Sequence, residues 1–226
     1  MIVIAGVTTF DINLATGPRV NDAPAVVEAI DRAHGSLPEM IAPTERIAIA
    51  MVAAEDGTFY SNDGVDVPDL LRGLLGYLTG TDAGGSTIEI QLAHLLYPSE
   101  TDGLWGRVHR VSLALQFDTH YTKAAILSMY LGAAYFGHGF YGIRAASLGC
   151  FGIPPERLNW AQAALLAGLV QAPSALDPFR HLTAAMRRMS YVLQRLVSDG
   201  RLTAAQASAI ARAPLRLVAQ KAPNAT

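Results

Sequence analysis

Apolar residues recur at helical spacing along most of this chain. Ile47, Met51 and Glu55 fall at i, i+4 and i+8, so they share one face that stays apolar until it reaches the carboxylate. The pattern predicts a helix that opens near Thr44, a plausible N-cap, and ends at Glu55. Upstream, Pro24 to Ala33 reads as a helix with Pro24 in its opening turn and Gly35 beyond its end, after a loop or extended lead-in over residues 8–23. Downstream, a polar turn at 61–66 precedes a helix from Pro68 to about Leu78, whose Leu70, Leu71, Leu74, Leu75 and Leu78 make a broad apolar face. A Gly-rich loop over 80–87 leads into a helix from Ile88 to Leu96.

The second half follows the same grammar. Pro98 to Gly106 reads as a connection carrying Leu104 and Trp105, with helices after it from Val108 to Phe117 and from Thr122 to Leu131. Residues 133–149 are rich in Gly and aromatics, and 150–155 read as a turn. Asn159 with Gln162 and Thr203 with Gln206 are spaced as capping boxes, opening helices that run to about Leu169 and Ala211. Between them Thr183 to Val197 is amphipathic, with Met186, Met189, Val192, Leu193 and Leu196 inward and Arg187, Arg188 and Arg195 outward. The tail after Pro214 is expected to fray. There is no internal repeat and no linker that divides the chain.

Composition narrows this picture. Hydrophobic residues make up 51% of the chain and charged residues 16%, which excludes disorder over most of its length. Abundant Ala and Leu with short β-branched runs point to a mostly helical core. The net charge of −2 gives no electrostatic case for nucleic acid. Cys150 is the sole cysteine, which excludes an internal disulfide framework and a Cys-based zinc site. No stretch is apolar for long enough to span a bilayer. Met1 to Val7 is apolar but short, and reads either as an N-terminal strand or as the end of a membrane anchor.

Three features carry candidate chemistry, each with a plainer alternative. Glu55 at the end of an apolar stripe is a partly desolvated carboxylate able to exchange protons near neutrality, or a solvated helix end. Gly84-Gly85-Ser86-Thr87 before a helix leaves N–H groups free for a phosphate or diphosphate, or is only a loop. Arg107 and Arg110, at i and i+3, offer two positive charges to a diphosphate, or form a solvated face.

Taken together, these stretches resemble the peptidoglycan glycosyltransferase family, comprising the glycosyltransferase domain of bifunctional penicillin-binding proteins and the monofunctional transglycosylases. EDGTFYSNDG at 55–64 follows the family's E-D-x-x-F-x-x-H-x-G, and GGSTIEIQL at 84–92 follows G-G-S-T-I-T-Q-Q-L. YTKAAILSMYLGAAYFGHGFYGIRAASLGCFG at 121–152, LNWAQAALLAGLVQAPSALDP at 158–178, and Arg187-Arg188 with Val192-Leu193 and Gly200 to Thr203 continue the match.

The resemblance implies a mostly α, lysozyme-like fold with a large head lobe and a small membrane-facing lobe. It implies a lead-in over 1–36 that could follow a membrane anchor missing from this chain, a glycosyltransferase-like domain over 37–213, and a tail over 214–226. It implies polymerisation of lipid II, a lipid-linked disaccharide, into glycan strands with release of undecaprenyl diphosphate, at the outer face of the bacterial cytoplasmic membrane. Expected partners are lipid II, the membrane surface and cell-wall synthesis proteins. No particular cofactor is implied, and a divalent metal is left open. Glu55 would be the general base. Asp56, Phe59, Arg72, Gly84, Gly85, Ser86, Thr87, Gln91 and Arg107 would line the substrate site, with Leu104 and Trp105 in the lobe that meets lipid.

This sequence departs from the family at the chemistry. The second catalytic Glu, in R-K-x-x-E, falls on Arg110, and the R-K pair on Gly106-Arg107. Asn62 stands for the first motif's His, Glu89 and Ile90 for Thr and Gln, His94 for a Lys, and Ser128 and Gly132 for Glu and Asn. Arg110 could stabilise a diphosphate leaving group but cannot act as a general acid. Three readings follow: an active but diverged glycosyltransferase, with Glu55 and Arg110 catalytic; an impaired relative that binds lipid-linked precursor or a wall-synthesis partner; and a glycan hydrolase. The last needs Glu89 or Asp118 across a cleft from Glu55.

Overall fold

The computed structural model describes residues 19–35, 42, 45–80, 86–99 and 103–218. It is mostly α. Ten α-helices occur among the described residues: α1 Ala23–Ala33, α2 Arg46–Glu55, α3 Val67–Thr79, α4 Ile88–Leu96, α5 Leu104–His120, α6 Lys123–Ala133, α7 Ile143–Phe151, α8 Trp160–Leu169, α9 Leu182–Ser198 and α10 Ala204–Arg212.

The centre is α8. Its apolar sequence is hydrophobic all round, so it packs on several sides and nearly every residue from Ala161 to Leu169 is buried. Helices α2 and α9 lie against it and against each other. Its start is fixed by the expected capping box: Asn159 accepts from the Gln162 N–H and Gln162 Oε1 from the Asn159 N–H, each at 3.0 Å. Thr203 and Gln206 repeat that device at α10. A second layer joins α4 to α5 and α6, and α1 rests on α6.

Several expectations change. Helix α5 starts at Leu104 after Gly103, whose φ of 81° suits glycine, so Leu104 and Trp105 open a helix instead of lying in a connection. Cys150 and Phe151 end α7 and are buried; the turn begins at Gly152 with φ 68°. The cap of α2 is Glu45, without a side-chain bond; Thr44 lies outside the described residues, as do the sequence stretches 1–18 and 219–226. The tail does not fray at Pro214, because Leu215 is buried and the Val218 N–H donates to the Cys150 carbonyl at 2.8 Å. On the apolar face of α3, Leu71 and Leu75 are 56% and 62% exposed, and Val67 and, on α5, Trp105 are also exposed. No described helix is long and apolar enough to cross a membrane.

Candidate active site

Helix α2 delivers Glu55 to the middle of the molecule. Ile47 and Met51 are fully buried, as the stripe predicted, and the Glu55 side chain is 11% exposed. Gln91 of α4 donates from Nε2 to Glu55 Oε2 at 3.2 Å. Arg188 of α9 sets Nη2 at 3.5 Å from the other oxygen, Oε1, an ion pair without hydrogen-bond geometry, since Oε1 is buried with no hydrogen-bond partner. Burial pushes the Glu55 pKa above the ordinary glutamate value, and Gln91 and Arg188 pull it part of the way back. Such a group suits proton transfer.

Gln91 is also the link to open space. With Ser86, Ile90, His94, Leu95, Arg110, Tyr130, Ala134, Tyr135, Val170 and Pro173 it lines a cavity of about 560 Å³. Arg110 and His94 bring basic groups to this wall, and Ser86 stands just before the α4 N-terminus. His109, beside Arg110, has its pKa lowered by burial and by that guanidinium. Among the described residues the lining offers amide, hydroxyl and basic groups and no carboxylate, a set that lacks the several oxygen ligands a divalent cation takes. Among the described residues no group of three His, Cys, Asp or Glu side chains is arranged to hold a metal ion.

Other candidate residues divide into cleft and scaffold. Ser86, Gln91 and Arg110 meet at the cavity, with Glu55 directly behind Gln91. Gly84 and Gly85 lie outside the described residues. Arg72 and Arg107 are exposed, on α3 and α5, and are not among the lining residues. Asp56 is buried and committed to the backbone: its carboxylate accepts from the Thr58 N–H at 3.1 Å, Thr58 Oγ1 at 2.9 Å, Asn62 Nδ2 at 3.2 Å and the Ile88 N–H at 3.2 Å. It thus ties the turn after α2 to the start of α4. Thr87 caps α4, accepting from the Ile90 N–H at 3.3 Å and donating to the Gly64 carbonyl at 2.8 Å. Phe59 is fully buried, with Lys123 Nζ 4.9 Å from its ring centre.

Neither substitute carboxylate faces Glu55 across a cleft. Glu89 is fully buried and accepts from Lys123 Nζ at 2.6 Å. Asp118 takes the same ammonium at 2.8 Å, and Asn62 Oδ1 completes its shell at 3.0 Å. The cluster fixes the turn carrying Asn62 to the starts of α4 and α6.

Arg188 and Arg195 were expected to point outward, and both point in. Arg188 is 16% exposed at Glu55, and Arg195 Nε donates to the Ala53 carbonyl at 3.1 Å. Gly168 of α8 makes room for Arg188: a Cβ there would lie 2.9 Å from Arg188 Cγ. Helical periodicity assigns arginines to solvent, so the pattern hid this contact. The one signal was that Arg188 belongs to a stretch that matches the family.

Known proteins agree with that match. Residues 25–197 match the Transglycosylase family. A protein named as a transglycosylase in Cupriavidus necator is 35% identical over 169 residues, 74% of this chain and 73% of that protein. Penicillin-binding protein 1A of Mycolicibacterium smegmatis is 39% identical over 166 residues, 71% of this chain and 21% of that protein. Penicillin-binding protein 2a of Streptococcus pneumoniae is 35% identical over 173 residues, 76% of this chain and 23% of that protein. The chain thus spans about a quarter or less of the penicillin-binding proteins it matches. With its motifs in order along the chain, and with the family matched over most of its length, this chain belongs to the peptidoglycan glycosyltransferase, or transglycosylase, family.

Proposed function

We propose that this domain is a diverged peptidoglycan glycosyltransferase of cell-wall synthesis, polymerising lipid II into glycan strands and releasing undecaprenyl diphosphate at the outer face of the cytoplasmic membrane. The observation that carries the reading is Glu55: a nearly buried carboxylate, held between Gln91 and Arg188 beside a cavity whose charged lining is basic. In this reading Glu55 takes the proton from the acceptor sugar hydroxyl as that oxygen attacks the donor's anomeric carbon. The bond from that carbon to the diphosphate oxygen breaks, and the leaving group departs as an anion. Arg110 stabilises the developing charge electrostatically, without a proton of its own to give. Ser86 and Gln91 line the donor's sugar and diphosphate sites, Asp56, Phe59 and Thr87 support them from the buried scaffold, and the exposed Arg72 and Arg107 meet the donor outside the cavity. The exposed apolar residues Val67, Leu71, Leu75 and Trp105 form the lipid-facing surface.

One observation favours a second reading. Arg110 occupies the position of the family's second catalytic carboxylate, so the protein could bind lipid-linked precursor, or a wall-synthesis partner, without turning the precursor over. A hydrolase is disfavoured, because Glu89 and Asp118 are spent on Lys123. The test is glycan polymerisation from labelled lipid II in detergent micelles, with the Glu55→Gln variant alongside. Polymer from the parent and not from the variant supports the transferase. Retention of lipid II without polymer from either protein supports the binding relative.

A further inference from the structure

The side chain that touches Glu55 from the cavity is an amide, and an amide has two ends. Its NH2 end stabilises a carboxylate; its oxygen end repels one. Which end faces Glu55 is decided elsewhere. Gln91 Nε2 lies 3.2 Å from Glu55 Oε2 and 3.5 Å from the Ser86 carbonyl oxygen, and a carboxylate and a carbonyl can only accept. The opposite end, Oε1, accepts from the Tyr130 hydroxyl at 2.5 Å. Tyr130 sits on α6 between the buried Met129 and Leu131 and is itself fully buried. Its phenol has no solvent to turn to.

We propose that Tyr130 is a positioning residue for the base, its hydroxyl locking the Gln91 amide so that the NH2 end faces Glu55. This rests on the reading of Glu55 as the general base. The argument is one of satisfied partners. A flip of the amide would set its oxygen against the carboxylate and its NH2 against the phenol oxygen, which can accept but leaves the buried hydroxyl's own proton without a partner. Without the hydroxyl, Oε1 has lost its buried donor and the flipped amide loses little. A flipped amide presents an oxygen to Glu55, which is acceptable only when Glu55 carries a proton. The other charged group at this carboxylate is Arg188, on the opposite oxygen, and it is unaffected by the flip. Tyr130 therefore acts through Gln91 to keep the base ionised and its Oε2 correctly directed.

The experiment is a carbon-13 NMR titration of the Glu55 carboxyl in protein labelled at glutamate, assigned with Glu55→Gln. It compares the parent, Tyr130→Phe, Gln91→Leu and the double variant. Tyr130→Phe is expected to move the Glu55 titration to higher pH, raising its proton affinity about tenfold, the scale of one hydrogen bond to a charged group. Gln91→Leu is expected to move it in the same direction. Adding Tyr130→Phe to Gln91→Leu is expected to change little more, because the hydroxyl's hydrogen bond goes to Gln91 and not to Glu55. A buried tyrosine that served packing alone would lower the melting temperature and leave the titration in place. Unchanged titration in Tyr130→Phe overturns the proposal, and so does an equal further shift in the Gln91→Leu background. If Tyr130→Phe does not fold, an unchanged titration in Gln91→Leu overturns it. The acid limb of the polymerisation rate should follow the titration. The NMR arm needs no turnover, so a protein that makes no glycan would fail the transferase reading while leaving this one decided on its own.

Discussion

Arg188 Nη2 lies 3.5 Å from Glu55 Oε1, across the packed seam of α9 and α2, and neither side chain has much water to fall back on. The arginine is held from two other directions, by the space that Gly168 leaves for its stem and by the Tyr191 ring, 4.5 Å from its guanidinium. Removing it leaves Glu55 with Gln91 as its remaining stabilising contact. Arg188→Met is therefore expected to raise the Glu55 proton affinity further and to shift the acid limb of the polymerisation rate to higher pH. At neutral pH the rate should fall, because a larger share of Glu55 carries a proton. A pH–rate profile in lipid II micelles checks this, and an unmoved acid limb would sink it.

The same carboxylate should cost stability. Its folded pKa lies above the unfolded value near 4.5, with burial as the largest cause. A group raised in this way binds more protons when folded, so stability falls as pH rises from the unfolded value through the folded one. Glu55→Gln removes that loss. The variant should melt higher than the parent at pH 7, and the difference should shrink as pH is lowered through the folded value and level off below 4.5, where both forms of the parent are protonated. Calorimetry at a series of pH values tests it. A constant difference across that range would mean that Glu55 is not the titrating group.

How much of this was legible beforehand depends on the range of the interaction. The capping boxes at Asn159 and Thr203 are local, three residues wide, and the chain spells them out. The stripe of Ile47, Met51 and Glu55 is also local; it placed Ile47 and Met51 in the core but left a desolvated carboxylate and a solvated helix end both open for Glu55, which is 11% exposed. The exposure of Leu71 and Leu75 on α3 was not legible, because apolar spacing says which residues share a face, not whether a second layer covers it. Arg188 and Lys123 were misread or passed over because their partners are distant in sequence. Lys123 reaches back 34 residues to Glu89, and periodicity holds no information about that pairing. The roles of Asp56 and Thr87 in tying α2 to α4 were hidden for the same reason.

Arg110 gives a test with two readouts. In the proposed mechanism it stabilises charge that develops on the diphosphate, so Arg110→Ala should weaken donor use at least tenfold, seen chiefly as a lowered kcat. Burial and then Arg110 hold the His109 pKa below the ordinary histidine value. Removing the guanidinium should let the His109 titration move up, which proton NMR follows without substrate. A His109 shift with unchanged donor kinetics would confirm the local electrostatics and remove Arg110 from the diphosphate site.

Lys123 separates scaffold from chemistry. One ammonium holds Glu89 at 2.6 Å and Asp118 at 2.8 Å, and Glu89 is fully buried with its other oxygen unpartnered. Burial pushes the Glu89 pKa up, and Lys123 brings it part of the way back. Lys123→Met would strand a buried carboxylate, a change that costs about 3 kcal/mol or more. Glu89→Gln in the same chain should recover part of that loss, because a neutral amide tolerates burial without the ammonium. Urea denaturation of the two single variants and the double variant measures the coupling. Glu89→Gln alone should keep polymerisation within a few-fold of the parent, since its side chain belongs to the joint between α4 and α6 and not to the cavity. A loss of a hundredfold or more from that single change, with the fold intact, would make Glu89 the missing second carboxylate and return the search for the acid to α4.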